Sequence, residues 1–146
     1  MQGDEIKAAQ SAFSLPDPRE LNPLQMAYLG DTLHDLYVRS MLVSRKISVG
    51  AMHKQAVRMV SAAAQARMLE AIEPELTEQE ADITRRGRNA QAKHAAPKHA
   101  DPADYAHATG LEALWGYLYV TKQTDRLDTL IRLAILRTED IWHKQS

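Results

Sequence analysis

The chain has 146 residues and a mass of 16.4 kDa, enough for one domain with its own core and little more. It is 45% hydrophobic and 25% charged, as in ordinary globular proteins, and it has no cysteine, which excludes a disulfide scaffold, a cysteine-ligated zinc site and a thiol nucleophile. The net charge of −1 is unevenly spread: residues 36–69 carry six Lys/Arg and no acid, 70–82 six acids and no base, and 83–100 five Lys/Arg and no acid.

Such segregated basic stretches suit either an anion-facing surface or two solvated helix faces. No apolar run approaches the roughly 18 residues of a membrane span. The opening MQGDEIKAAQSAF has no apolar segment of the signal-peptide kind, so no secretory leader is expected. Few glycines and prolines, with abundant alanine, leucine and methionine, predict an all-α fold.

Residues 1–20 read as an N-terminal extension, a short helix and then a loop stopped by Pro16 and Pro18. Asn22-Pro23 is a cap followed by proline at the first helical position, predicting a helix to about residue 43. Leu29, Leu33, Leu36 and Ser40 line one side of it, and Leu24, Ala27, Val38 and Leu42 the other, so it is expected at the centre of the molecule. Ser48 caps a second, uninterrupted helix over 49–72, ended by Pro74. Thr77-Glu78-Gln79-Glu80 has the form of a capping box and starts a third helix, expected to fray near Gly87. Residues 85–100 then form a basic loop. Asp101-Pro102 opens a fourth helix to about residue 120, and a fifth spans 125–142.

Asp31 stands on the stripe of Leu24, Ala27, Val38 and Leu42, where an unpaired carboxylate is costly. Gly30 beside it is a poor helix former that lets another backbone or a ligand come close. Two local rules broken side by side mark a candidate functional site, or a buried Asp–Arg pair. Asp35 follows one turn later; the His34-Asp35 pair lacks the earlier histidine of a metal phosphohydrolase motif. Glu112 is a second acid among small and aromatic residues, with Thr109, Trp115 and Gly116 as helix neighbours. Arg85, Arg86, Arg88, Asn89, Lys93 and Lys98, with His107 a weaker candidate, form a cationic set suited to phosphates or simply to solvent.

The stretch Leu21-Asn22-Pro23-Leu24-Gln25-Met26-Ala27-Tyr28-Leu29-Gly30-Asp31-Thr32-Leu33 resembles the signature helix of the ribonuclease III family, and Leu111-Glu112-Ala113-Leu114-Trp115-Gly116-Tyr117-Leu118-Tyr119 its second signature. With Arg85-Arg86-Gly87-Arg88-Asn89 between them, the pattern over residues 20–140 is similar to the Mini-ribonuclease III subfamily, a catalytic domain without a double-stranded-RNA-binding domain. Three family acids are replaced here by Leu24, Ala27 and Thr109, as in that subfamily, and Asp35 is a candidate replacement ligand. The resemblance implies a homodimeric ribonuclease III-type endonuclease domain. It also implies magnesium-dependent cleavage of double-stranded RNA giving 5′-phosphate products, and maturation of precursor 23S ribosomal RNA in a bacterial cytoplasm. Asp31 and Glu112 match the family's catalytic and metal-binding acids. The rival readings are a ribonuclease III-like RNA-binding domain without catalysis and a helical protein-interaction module.

Overall fold

The computed structural model describes residues 2–142. Helices α1 (Gln2–Ser11), α2 (Pro23–Ser44), α3 (Val49–Met59), α4 (Ala62–Ile72), α5 (Glu78–Ala92), α6 (Pro102–Val120), α7 (Thr124–Arg137) and α8 (Glu139–Trp142) follow in chain order, with 3-10 turns at Pro18–Glu20 and Glu73–Glu75 and no strand among the described residues. The all-α expectation holds.

Local chemistry sets the starts of the long helices. The Asn22 side chain accepts from the Gln25 N–H while the Gln25 side chain accepts from the Asn22 N–H, a reciprocal cap worth about 1 kcal/mol. Thr77 and Glu80 do the same for α5, and Asp101 caps α6 ahead of Pro102. Ser48 and Ser61 cap α3 and α4.

Four expectations are corrected. The helix over 49–72 is two helices, because the Ser61 hydroxyl takes the Ala64 N–H and starts a new helix at Ala62. The basic stretch is not one loop over 85–100: α5 continues to Ala92, so Arg85, Arg86, Arg88 and Asn89 are helical and only Lys93 and Lys98 follow its end. Gly87 does not fray the helix, because it lies against α6, where an added Cβ would meet the Ala113 side chain at 2.9 Å and Gly110 Cα at 3.0 Å. The last helix is interrupted at Thr138, whose hydroxyl turns back to the carbonyls of Ala134 and Ile135.

Helix α6 is the axis of the core. It buries Ala108, Leu111, Ala113, Leu114, Trp115 and Leu118, which leaves little polar surface on any side. Around it pack α2, α4, α5 and α7, with Val38, Leu42, Met59, Met68, Leu69, Ile72, Leu127, Leu130 and Ile131 filling the interior. Two arginines of α7 tie down the connection between α4 and α5. Arg126 makes a bidentate bond to the Glu80 carboxylate at 2.8 and 2.9 Å and reaches the Glu75 carbonyl, while Arg137 reaches the Ala71 carbonyl and the Glu75 carboxylate. α1 buries no side chain.

Candidate active site

Helices α2 and α6 cross backbone to backbone. A Cβ added at Gly30 would lie 1.7 Å from the Glu112 carbonyl oxygen, and one added at Gly116 would lie 1.9 Å from the Met26 carbonyl oxygen. The two contacts are reciprocal, with residue numbers rising on one helix as they fall on the other, so the helices run antiparallel. Each signature stretch therefore contains a glycine because the other helix occupies the space of a side chain.

This crossing brings Asp31, which follows Gly30, to Glu112. The two carboxyl groups share a hydrogen bond. Burial pushes the Glu112 carboxyl up to about 8, the hydrogen bond to Asp31 and the Asp31 charge push in the same direction, and a hydrogen bond from Gln65 opposes them. At neutral pH Glu112 thus carries the proton and donates to Asp31.

Asp31 is not buried as its helix position predicts. It is exposed, although Ala27, Val38 and Leu42 on the same arc are buried. Helical period places a side chain on an arc but does not say which level of that arc is covered. The pair consists of one exposed and one largely buried carboxyl.

His34, one turn beyond Asp31, is buried. Its Nε2–H donates to the Met59 carbonyl at 3.1 Å, which leaves Nδ1 to accept from the Trp115 indole N–H at 3.2 Å. Burial lowers the His34 pKa, against the Met59 bond and the charges of Asp31 and Asp35. The ring is neutral and joins α2, α6 and the end of α3. Asp35 does not join the pair; its carboxylate binds Arg39 on the same helix at 3.1–3.2 Å. Gln65 was not legible as a site residue. The one available signal was an amide within the alanine run of α4, and the structure buries it, 3% exposed, beside Glu112.

The basic residues divide. Arg85 pairs with Asp82 on α5. Arg88 donates to His107 Nε2 at 3.4 Å while His107 Nδ1 donates to the Ala103 carbonyl at 2.7 Å, so these two form one unit bridging α5 and α6. Arg86, Asn89, Lys93 and Lys98 are exposed. His107 precedes Glu112 by about 7–8 Å along the helix axis and stands roughly 140° around it.

No group of three or more His, Asp or Glu side chains placed to hold one metal ion occurs among the described residues. The donor set is two carboxyls. That set fits a hard cation that prefers oxygen and retains several waters, and the proton shared by the pair is the charge such an ion replaces.

Residues 24–123 match the Ribonuclease III domain family. The chain is 50% identical over 121 residues to a Mini-ribonuclease 3 of Symbiobacterium thermophilum, covering 82% of this chain and 92% of that one. It is 40% identical over 121 residues to a Mini-ribonuclease 3 of Thermoanaerobacter sp., covering 82% and 84%. A crystal structure of a Fusobacterium nucleatum protein superposes with a TM-score of 0.74 at 25% identity, covering 84% of this chain and 98% of that one.

Proposed function

This chain belongs to the ribonuclease III family and is an endoribonuclease acting on double-stranded RNA, and from that premise we propose that it cuts its substrate with magnesium at a site formed by Asp31 and Glu112. The observation that supports this most is the carboxyl pair itself. Two acids distant in sequence face each other across a glycine-mediated helix crossing, and burial, reinforced by the Asp31 carboxylate, raises the Glu112 carboxyl to about 8.

Asp31, on the exposed side, meets the phosphodiester. Glu112, on the buried side, would release its proton to solvent as a cation binds and then supply a second oxygen donor. Held by these two carboxyl groups, magnesium would acidify an attacking water and neutralise charge on phosphorus. Arg86, Asn89, Lys93 and Lys98, with the Arg88–His107 unit, take phosphates beside the cut, and each neutralised phosphate adds salt-dependent affinity. A-form RNA is read mainly by shape, so this basic flank needs no base-specific reader. The products carry 5′-phosphate and 3′-hydroxyl ends.

We further infer a homodimer. Tyr28, Leu36 and Val43 of α2 are 83%, 58% and 64% exposed, and Leu36 and Val43 share one outer face. A two-fold dimer that covers this face presents two sites to the two strands of a duplex. The substrate that fits the subfamily is precursor 23S ribosomal RNA, matured at its ends in the cytoplasm.

The test is incubation of duplex RNA with the wild type and Asp31→Asn, with and without magnesium. Cleavage by the wild type that requires the metal, lost in Asp31→Asn while duplex binding persists, supports the reading. Unchanged cleavage in Asp31→Asn removes Asp31 from the mechanism, and duplex binding with no product under any divalent metal returns the non-catalytic RNA-binding alternative.

A further inference from the structure

Gln65 is a buried side chain at the site with no part in the reading above. It is 3% exposed on α4, among Ala62, Ala63, Ala64 and Ala66. A buried primary amide costs free energy unless its groups are paired. Its nitrogen donates to the Val60 carbonyl at 3.1 Å, its side chain hydrogen-bonds the Glu112 carboxyl, and its Oε1 has no partner among the described residues.

The break between α3 and α4 explains how the amide is oriented. In a continuous helix the Val60 carbonyl would accept the Ala64 N–H. Here the Ser61 hydroxyl takes that N–H, at 3.1 Å, and the Val60 carbonyl is left for Gln65. A carbonyl only accepts, so the Gln65 nitrogen must face it, and the amide orientation is set by backbone rather than by Glu112. The neighbouring Met59 carbonyl is taken by His34 in the same way. The helix break thus presents two carbonyls in succession to the two side chains that hold α2 and α6 around the carboxyl pair.

We propose that Gln65 is a positioning residue for the cation site: its amide nitrogen, fixed by the Val60 carbonyl, holds the Glu112 carboxyl toward Asp31, and its buried Oε1 accepts a hydrogen bond from the hydration shell of the ion. This rests on the reading of Asp31 and Glu112 as the cation-binding pair. Leucine or methionine would fill the space without the cost of desolvating an amide. An unpaired buried acceptor on a side chain that also meets Glu112 is accounted for when a hydrated cation supplies the donor.

The experiment compares the full-length wild type with Gln65→Met, a near-isosteric change, and with Asp31→Asn. Three quantities are measured: Mn2+ affinity of the free protein by titration without RNA, kcat and KM on duplex RNA, and the melting temperature in chelator. Gln65→Met is expected to bind Mn2+ about 10- to 100-fold more weakly and to lose kcat by a similar factor, with KM for the duplex unchanged. Wild-type Mn2+ affinity and kcat in a folded Gln65→Met, or a loss confined to KM, overturns the proposal. Where that variant melts far below the wild type, Gln65→Asn, which keeps an amide but shortens its reach, carries the same comparison. Full activity in Asp31→Asn would instead overturn the site reading, so the two failures are distinguishable.

Discussion

Gly30 lies against the main chain of Glu112, so close that a methyl group on Gly30 would overlap the Glu112 carbonyl oxygen at 1.7 Å. Alanine at this position gains about 1 kcal/mol in helix propensity. The overlap is with backbone, which cannot rotate away, so the helices must separate. Gly30→Ala is expected to destabilise the protein by about 2 kcal/mol or more and to reduce cleavage by parting the carboxyl pair. Gly3→Ala and Gly50→Ala, whose new methyl groups meet nothing closer than 4.0 Å, are the controls and should be neutral or slightly stabilising. Urea unfolding midpoints and cleavage rates on the three variants check this.

The Glu112 carboxyl is raised to about 8, mainly by burial and then by Asp31. The folded state therefore holds this proton more tightly than the unfolded chain does. Its ionisation costs stability as pH rises from near 4.5 through 8, and the cost is complete above that. Without metal, Glu112→Gln should stabilise the protein at pH 8.5, on the order of 2–4 kcal/mol, and the gain should vanish near pH 4. Denaturant unfolding in chelator at the two pH values measures it. The same variant should be inactive.

His34 behaves in the opposite direction. Burial lowers its pKa, so the folded state resists protonation. The stability from its neutral ring is present above about pH 6.5 and is lost as pH falls through the window below that value. Trp115→Phe retains the packing but leaves Nδ1 without its donor, and is expected to cost about 1–3 kcal/mol at pH 8. An unfolding series from pH 5 to 8 on wild type and His34→Gln should show the acid-side decline flattened in the variant.

Glu80 closes the cap of α5 and binds Arg126 from a buried position. Burial raises its pKa, but the Arg126 and Thr77 hydrogen bonds prevail and hold it below the usual carboxylate range. Its side chain is 4% exposed and that of Arg126 33%, so the pair is only partly shielded from water. Glu80→Ala should cost about 2–3 kcal/mol, and Glu80→Gln, which can still accept the Thr77 N–H, clearly less. Thermal unfolding separates them.

The outer face of α2 supplies the test of assembly. Leu36→Asp places a charge in a face proposed to be covered by a second copy. Sedimentation velocity at micromolar concentration should show a dimer for the wild type and a monomer for the variant. A monomeric wild type would contradict the paired-site geometry.

Much of this was legible in the sequence where the determinants are local. The caps at Asn22, Thr77 and Asp101 act on N–H groups within three residues, so they locate α2, α5 and α6 without knowledge of the fold. The same locality made Asp31 and Glu112 conspicuous as acids in apolar company, and family resemblance supplied the expectation that they meet. Tertiary structure decided everything that depends on what lies across a helix. It exposed Asp31 on an arc that is buried above and below, since periodicity reports direction and not coverage. It carried α5 through Gly87, because a small residue is required where two helices nearly touch, and that packing outweighs poor propensity. It broke the helix between Val60 and Ser61 and used the released carbonyl to hold Gln65 beside Glu112. Capping is a contact between near neighbours in the chain, whereas the reach from Gln65 to Glu112 exists only after α4 has packed on α6.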